Sequence, residues 1–365
     1  MPGEILVTSY ETMRRDQELY KGEDFFCEVI DEAQYIKNAG TKGARAVKSV
    51  SAQMKLALTG TPVENRLSEL WSIFDYLMPG FLSASAHTRK NFEMPIMKKE
   101  NEDAMADLQK MIRPFILRRL KKEVLSDLPD KIEKCVTIPL EGEQKKLYDA
   151  HVQRLKFMLE NEEFANIRMQ VLAELTRLRQ LCCDPALIYQ DYQEGAAKME
   201  LCMELLNNAV NGGHKVLLFS QFTSMLGILE KRMEEAGIGY YSLTGSTPKK
   251  ERMELMEKFN RDATPVFCIS LKAGGTGLNL TGADVVIHYD PWWNVAPENQ
   301  ATDGAHRIGQ KRVVTVYKLV AEHTIEEKVV ELQQKKKELA DQVLSGEEMG
   351  SILFDREELL KLFQN

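Results

Sequence analysis

The chain has 365 residues, 48 Lys+Arg against 55 Asp+Glu for a formal net charge of -7, and is 44% hydrophobic and 28% charged, with 22 Gly and 12 Pro. That composition is globular and excludes a collagen, a continuous coiled coil and wholesale disorder. No apolar run approaches the ~18–20 residues of a membrane span, the opening MPGEILVTSYETMRRD lacks the basic-then-apolar profile of a signal peptide, and six Cys without a CxxC support neither a zinc site nor a disulfide framework, which reads as a cytosolic chain with reduced thiols.

The acid excess argues weakly against a nucleic-acid partner until it is split by region. Residues 1–135 carry 21 basic and 21 acidic side chains, and residues 211–323 carry 13 and 12. The deficit lies in 136–210, with 8 against 12, and in 324–365, with 6 against 10. Two near-neutral lobes can each present a basic groove.

Short apolar runs alternate with helical patterns in two stretches, the grammar of α/β folds. In the first, Ile5–Thr8, Phe25–Ile30 and Lys55–Leu58 read as strands. A helix follows that places Leu67, Leu70, Trp71, Phe74 and Leu77 on one face. Residues 80–210 read as mostly helical, with helices over 145–160, 171–182 and within 195–213. The second stretch opens with a strand at Lys215–Phe219 and a helix carrying Phe222, Met225, Leu226, Leu229 and Met233. Strands follow at Tyr240–Leu243, Val266–Ser270, Val285–Tyr289 and Val314–Leu319. A helix over 324–345 and an acidic amphipathic tail, EEMGSILFDREELLKLF, close the chain.

Four segments carry residue types suited to phosphate chemistry. FFCEVIDEAQ (25–34) runs an apolar strand into Asp31-Glu32, at the sheet edge where open α/β folds bind ligands. An Asp there can hold Mg²⁺ and a neighbouring acid can polarise a water, although Asp-Glu after a strand is more often a solvated turn. LALTGTPVENR (56–66) is a hydroxyl-rich strand-to-turn junction around Thr59, Gly60 and Thr61, and an ordinary hydroxyl turn explains it equally well. SLKAGGTGLNLTGADVVIHYDPWWN (270–294) has three glycines in four residues, whose N–H groups could cradle phosphates. Its Trp292-Trp293 pair is more often core, but on a loop it could meet nucleic acid. PENQATDGAHRIGQ (297–310) would present Gln300, Asp303 and Arg307 on one helix face, and an Arg aimed at a phosphate site from a second domain is the logic of an arginine finger.

Taken in order and spacing, these segments resemble the Swi/Snf family of DNA-dependent ATPases, within helicase superfamily two, from about residue 4 to about 340. IDEAQYIKN resembles motif II and LTGTPVENRLSELWSIFDYLMPGFL resembles motif III. FILRRLKKEVLSDLPDKIE resembles the segment entering the family's helical insertion, and VLLFSQFTSMLGILEKRM resembles motif IV. YYSLTGSTPKKER resembles the next box, and SLKAGGTGLNLTGADVVIHYDPWWNVAPENQATDGAHRIGQ resembles motifs V and VI.

The resemblance implies an α/β fold of two RecA-like parallel-sheet lobes, the first incomplete, joined by a helical insertion. The parts are a partial first lobe at 1–135, an insertion and linker at 136–210, a second lobe at 211–323, and a C-terminal helix and tail at 324–365. It implies ATP in a cleft between the lobes, with Asp31 and Glu32 at the Mg²⁺ and Glu32 orienting the attacking water. Gln34 would couple that site to the second lobe, and Thr59, Gly60 and Thr61 would link ATP state to the DNA track. Gly275, Gly277 and Asn279 would sit at the cleft, with Gln300, Asp303 and Arg307 toward the phosphates. Double-stranded DNA would run past Ser220, Gln221, Thr244, Lys272 and Trp292, held mainly by phosphate contacts.

Two departures from the family pattern stand out. No GxxxxGK[ST] occurs, so the chain reads as the C-terminal two-thirds of an enzyme, expected to hydrolyse ATP poorly and to have a less stable first lobe. Gly304 stands where motif VI carries its first arginine, leaving Arg307 alone. The leading expectation is an ATP-dependent translocase on duplex DNA. The rivals are a non-catalytic DNA- or protein-binding module and a remodeller of RNA polymerase or another DNA-bound complex. A short insertion without flanking chromatin-type domains points to a bacterial member, cytoplasmic and nucleoid-associated.

Overall fold

The computed structural model describes residues 3–60, 67–82, 102–119, 124–125, 128–162, 164–274 and 277–334. They divide into two units at Ile116/Leu117.

The first unit is built on two parallel strands, β1 (Asp24–Ile30) and β2 (Ser51–Ala57), in register from Asp24 opposite Ser51 to Ile30 opposite Ala57. The connection runs through a 3-10 turn, Ala33–Ile36, and the helix Lys42–Lys48. That helix starts where the Thr41 hydroxyl accepts from Ala44 N at 3.2 Å, a hydroxyl N-cap. The helix Leu67–Leu77 buries two faces. Ile73 and Tyr76 pack with Ile30, Ile36 and Val47, while Leu70 and Phe74 pack with Leu82, Leu108 and Ile112. Residues 5–8, read from sequence as a strand, form no ladder, and Ile5, Leu6 and Val7 are exposed. Apolar character alone does not make a strand without a neighbour to take up the backbone N–H and C=O groups.

The second unit holds a six-stranded, all-parallel sheet in the order β3-β8-β7-β4-β6-β5. Its strands are β3 (Lys131–Pro139), β4 (Val216–Ser220), β5 (Tyr240–Leu243), β6 (Val266–Ser270), β7 (Val285–His288) and β8 (Val314–Glu322). The central strands are buried on both faces, as a helix-covered parallel sheet requires. Val216, Leu218, Val266, Cys268, Val285 and Ile287 enter one apolar cluster beneath the helices Ala197–Asn211 and Thr223–Glu235. The alternating residues Leu217, Phe219, Phe267, Ile269 and Val286 enter the other, with Phe259 and Ala301. This is the period-two alternation of a strand, with apolar residues in both registers.

A helical hairpin, Gly142–Asn161 and Phe164–Cys183, forms a third cluster with Ala321 and Ile325. The helix Ala197–Asn211 is tied to the end of β7 and to the C-terminal helix through Lys198, which is fully buried. Its Nζ donates to both oxygens of Glu326, at 2.6 and 2.8 Å, and to Tyr289 O at 3.0 Å. Burial alone would favour the neutral amine, but Glu326 reverses that and holds the lysine pKa above its ordinary value.

The region read as mostly helical contains β3, a nine-residue strand paired throughout with β8. Residues 131–135, grouped with the first lobe from sequence, therefore hydrogen-bond into the second unit's sheet. The strand is an edge with most side chains exposed, so its apolar pattern is weak. The C-terminal helix is described over 325–334 and buries Ile325, Val329 and Leu332. Its expected continuation and the acidic tail lie outside the described residues.

Candidate nucleotide site and nucleic-acid interface

In the first unit the strand-end acids are held by a compact set of bonds. Leu58 N donates to Ile30 O at 2.8 Å and Ala33 N donates to Leu58 O at 2.9 Å, which brings the turn after β1 against the end of β2. Asp31 is exposed. Its carbonyl accepts from Tyr10 OH at 2.7 Å, and its Oδ1 accepts from Glu32 N at 2.8 Å. Burial, then the nearby Asp31 and Glu32 carboxylates, push the Tyr10 phenol up to about 12, so it stays a donor.

Glu32 has φ 50, in the left-handed region that a non-glycine residue enters at a cost of order 1 kcal/mol. Its side chain is fixed by a relay in which Gln34 Nε2 donates to Glu32 Oε2 at 2.6 Å and Thr59 Oγ1 donates to Gln34 Oε1 at 2.8 Å. Gln34, expected to reach toward the second lobe, thus joins the acid turn to the Thr59 turn. Gly60 is exposed beside Thr59, while Thr61 lies outside the described residues. No group of three or more His, Cys, Asp or Glu side chains that could hold a metal ion occurs among the described residues. Two adjacent carboxylates nonetheless suit Mg²⁺, which takes one or two carboxylates and fills its shell with water and substrate phosphates.

In the second unit the loops after β4, β6 and β7 lie side by side at the carboxyl end of the sheet. From β4 the chain first builds outward through β5 and β6 and then crosses to β7 and β8, so these loops sit at the switch in strand order where open α/β sheets take ligands. Asp290 staples two of them. Its Oδ1 accepts from Ser220 Oγ, and both its carboxylate oxygens lie 3.3 Å from Gln221 N. The Ser220 hydroxyl also accepts from Phe222 N at 3.1 Å and is 1% exposed, so it serves the loop and not a duplex.

Trp292 is half-buried. Its backbone N–H donates to Glu298 Oε1 at 2.6 Å, and its ring lies over the Arg179 guanidinium, as does that of Trp293. Lys272 is exposed, and Thr244 shares its hydroxyl with Ser246 at 2.8 Å in the turn after β5. Gly277 and Asn279 are exposed, and Gly275 lies outside the described residues. Gly274 is a packing glycine, since a Cβ there would come within 2.8 Å of the Phe219 ring.

The last segment departs from its expected form. The helix Val295–Thr302 stops at Asp303, so Gln300, Asp303 and Arg307 do not share a helical face. Gly304, where the family pattern has its first arginine, follows the stop in a tight place. A Cβ at 304 would lie 3.0 Å from Ala301 O and 3.3 Å from Leu278 O, while Gly304 O accepts from Leu280 N at 2.8 Å. Arg307 is exposed, with Nη1 donating to Leu278 O at 3.2 Å. The buried His306 donates from Nε2 to Pro129 O at 2.8 Å, a structural role.

Sequence reasoning missed Gln310 as an organiser. Its Nε2 donates to Ala283 O at 2.7 Å and Ala305 O at 3.0 Å, and its Oε1 accepts from Lys311 N and Arg312 N, both at 2.9 Å. Tyr10, Arg179, Asp290 and Glu298 were also missed. A buried charged residue leaves no periodic trace.

The family model of SNF2-related domains matches residues 2–187, and that of the helicase conserved C-terminal domain matches residues 197–309. An uncharacterized ATP-dependent helicase of Mycoplasma pneumoniae is 40% identical over 100% of this chain and 35% of its own length. The TATA-binding protein-associated factor MOT1 of Saccharomyces cerevisiae is 36% identical over 99% of this chain and 22% of its own. The chain thus spans about a third or less of these relatives. Among solved structures, the Sulfolobus solfataricus SWI2/SNF2 ATPase core in complex with dsDNA matches with a TM-score of 0.51 and 37% identity, covering 92% of this chain and 72% of that one.

Proposed function

The chain belongs to the family of SNF2-related domains, here followed by a helicase conserved C-terminal domain, and from that premise we propose that it is the motor of a DNA-dependent ATPase that moves along double-stranded DNA. The observation that carries the reading is the Thr59–Gln34–Glu32 relay, which fixes a strained acid at a strand end and ties it to a second turn of the same unit. A preorganised carboxylate of this kind orients a water, and a change at Thr59 is transmitted to it through two hydrogen bonds. Asp31, whose Oδ2 has no protein partner among the described residues, would hold Mg²⁺ with Glu32 beside it. That ion would supply charge neutralisation on the ATP phosphates. Arg307, with Gln300, Asp303 and the turn at Gly277–Asn279, would serve the phosphates from the second unit.

Gln221, Thr244 and Lys272 are the candidates for phosphate contacts along a duplex. Ser220 is withdrawn from that list because its hydroxyl is internally satisfied. DNA-bound proteins, a polymerase among them, would be what the motor displaces. No helix among the described residues is long and apolar enough to cross a membrane.

Duplex binding by the 365-residue chain tests the reading. Affinity should change little with sequence and fall steeply with salt, by roughly 10³-fold or more from 50 to 200 mM if six or more phosphates are engaged. No duplex binding at low salt would sink it. Because the sequence holds no GxxxxGK[ST], phosphate release by this chain should stay near background with or without DNA. Enzyme-like, DNA-stimulated turnover would overturn that expectation while leaving the motor reading standing. A second reading, a non-catalytic DNA- or protein-binding module, is favoured by the contrast between the complete, two-face-covered sheet of the second unit and the two-stranded sheet of the first.

A further inference from the structure

We propose that Arg179 is a positioning residue that locks the loops after β4 and β7 to the helical hairpin and so sets the surface through which the second unit meets duplex DNA; the inference rests on the DNA-binding reading above. Arg179 lies one turn from the end of the helix Phe164–Cys183, is 5% exposed, and has no carboxylate partner among the described residues. Its Nη2 donates to Pro291 O at 2.6 Å, and its Nε is buried without a partner. Three aromatic rings surround the guanidinium carbon, with centroids at 5.3 Å for Trp293, 5.8 Å for Trp292 and 5.9 Å for Phe222.

A buried cation without a counter-ion is costly, and an apolar side chain would fill the same space more cheaply. Neighbouring hairpin positions do carry Leu175, Leu178, Leu181 and Cys182. What the guanidinium adds is geometry, because one rigid plane donates to a carbonyl and offers its faces to rings at the same time. From the hairpin it gathers groups of two other segments, the start of the helix Thr223–Glu235 and the loop after β7.

That loop has two further anchors. Asp290 fastens it to Ser220 and Gln221, and Glu298 with Gln333 fastens Trp292. Arg179 is the anchor from the hairpin, and its cage includes Phe222, the residue that follows Gln221, one of the proposed DNA contacts. The paired tryptophans thus form the walls of an arginine cage, which accounts for two adjacent Trp on a loop better than stacking on bases does.

Arg179→Met removes the charge and the donors but keeps an apolar stem of similar length. In a Trp71→Phe background, acrylamide quenching reports on Trp292 and Trp293 alone, and anisotropy with a labelled duplex reports on binding. Arg179→Met should raise quenching and weaken duplex binding roughly tenfold, because the loosened loops must be ordered when the duplex binds. Arg179→Lys, charged but not planar, should recover only part of the affinity. A folded Arg179→Met protein with wild-type affinity overturns the proposal, whether or not its thermal midpoint falls. Should that variant not fold, Trp293→Leu strips one cage wall and carries the same two expectations, with unchanged affinity again overturning it. If the wild-type chain binds no duplex, the proposed function fails instead.

Discussion

In the first unit, Val29, Met54 and Leu56 lie in one register of a two-stranded parallel sheet and are 54%, 45% and 45% exposed. In the second, Leu217, Phe267 and Val286 hold equivalent places on three adjacent parallel strands and are fully buried. The two regions are written in the same apolar vocabulary. An apolar strand residue marks membership of a sheet, whereas its burial depends on how many strands flank it and whether helices cover both faces. The two-stranded sheet has cover from Tyr76 and the helix Lys42–Lys48 on the face that carries Ile30. The six-stranded sheet has cover on both faces and buries the Lys198–Glu326 pair completely, whereas the Lys55–Glu28 pair across the smaller sheet keeps 13% and 9% of its side-chain exposure.

The largest expected effect comes from removing one half of the Lys198–Glu326 pair. Lys198→Met should destabilise the second unit by about 3–5 kcal/mol, because Glu326 stays buried without its partner. Adding Glu326→Leu should restore most of the loss in urea unfolding, and a single variant of wild-type stability would show that this interior is wetter than its geometry implies.

A matched pair of truncations addresses the comparison directly. Ile287→Ala in β7 should cost about 2–5 kcal/mol by leaving a cavity. Leu56→Ala in β2 should stay within about 0.5 kcal/mol. Equal costs in thermal unfolding would erase the distinction between the sheets.

His288 supplies a smaller and pH-dependent test. It is buried against Phe219 and bonded to Thr302, and burial followed by the charge of Lys318 lowers its pKa to about 3. A histidine held neutral in the fold contributes stability that is complete above its unfolded pKa, near 6.5, and is lost as pH falls toward the folded value. The second unit should lose up to about 1.4 kcal/mol per pH unit in that window. His288→Gln should flatten the dependence, and an unchanged slope in that variant would assign the acid sensitivity elsewhere.

The smallest effect is local to the first unit. Glu32→Gly relieves the left-handed backbone and should stabilise that unit by no more than ~1 kcal/mol while removing the proposed water-orienting carboxylate. A loss of stability would mean that the relay to Gln34 outweighs the strain.

Strands β4 to β8 were legible in the sequence because strongly apolar runs such as VFCIS and VVIH leave little choice, and so were the hairpin helices through Val171, Leu175, Leu178 and Cys182. Strand β3 was not, because an edge strand of Lys131, Glu133 and Lys134 is written for solvent. The acids at 31 and 32 were found from the strand that delivers them, but the relay through Gln34 was not, since it depends on two turns meeting. Gly304 appeared as a lost arginine until the structure placed it against the Ala301 and Leu278 carbonyls, where a Cβ would be tight. Trp292 was read from its surface chemistry, and its three-ring arrangement with Arg179 joins residues more than a hundred positions apart.

The pairing of β3 with β8 has a consequence for how the molecule is made. A strand beginning at Lys131 must wait for one beginning at Val314, about 180 residues later, before its backbone is satisfied. On a ribosome emitting ~5–20 residues per second, that wait lasts on the order of ten seconds or more. Throughout it the nascent segment is an unpaired strand, open to chaperones or to a neighbouring chain, and the sheet's outer margin closes last.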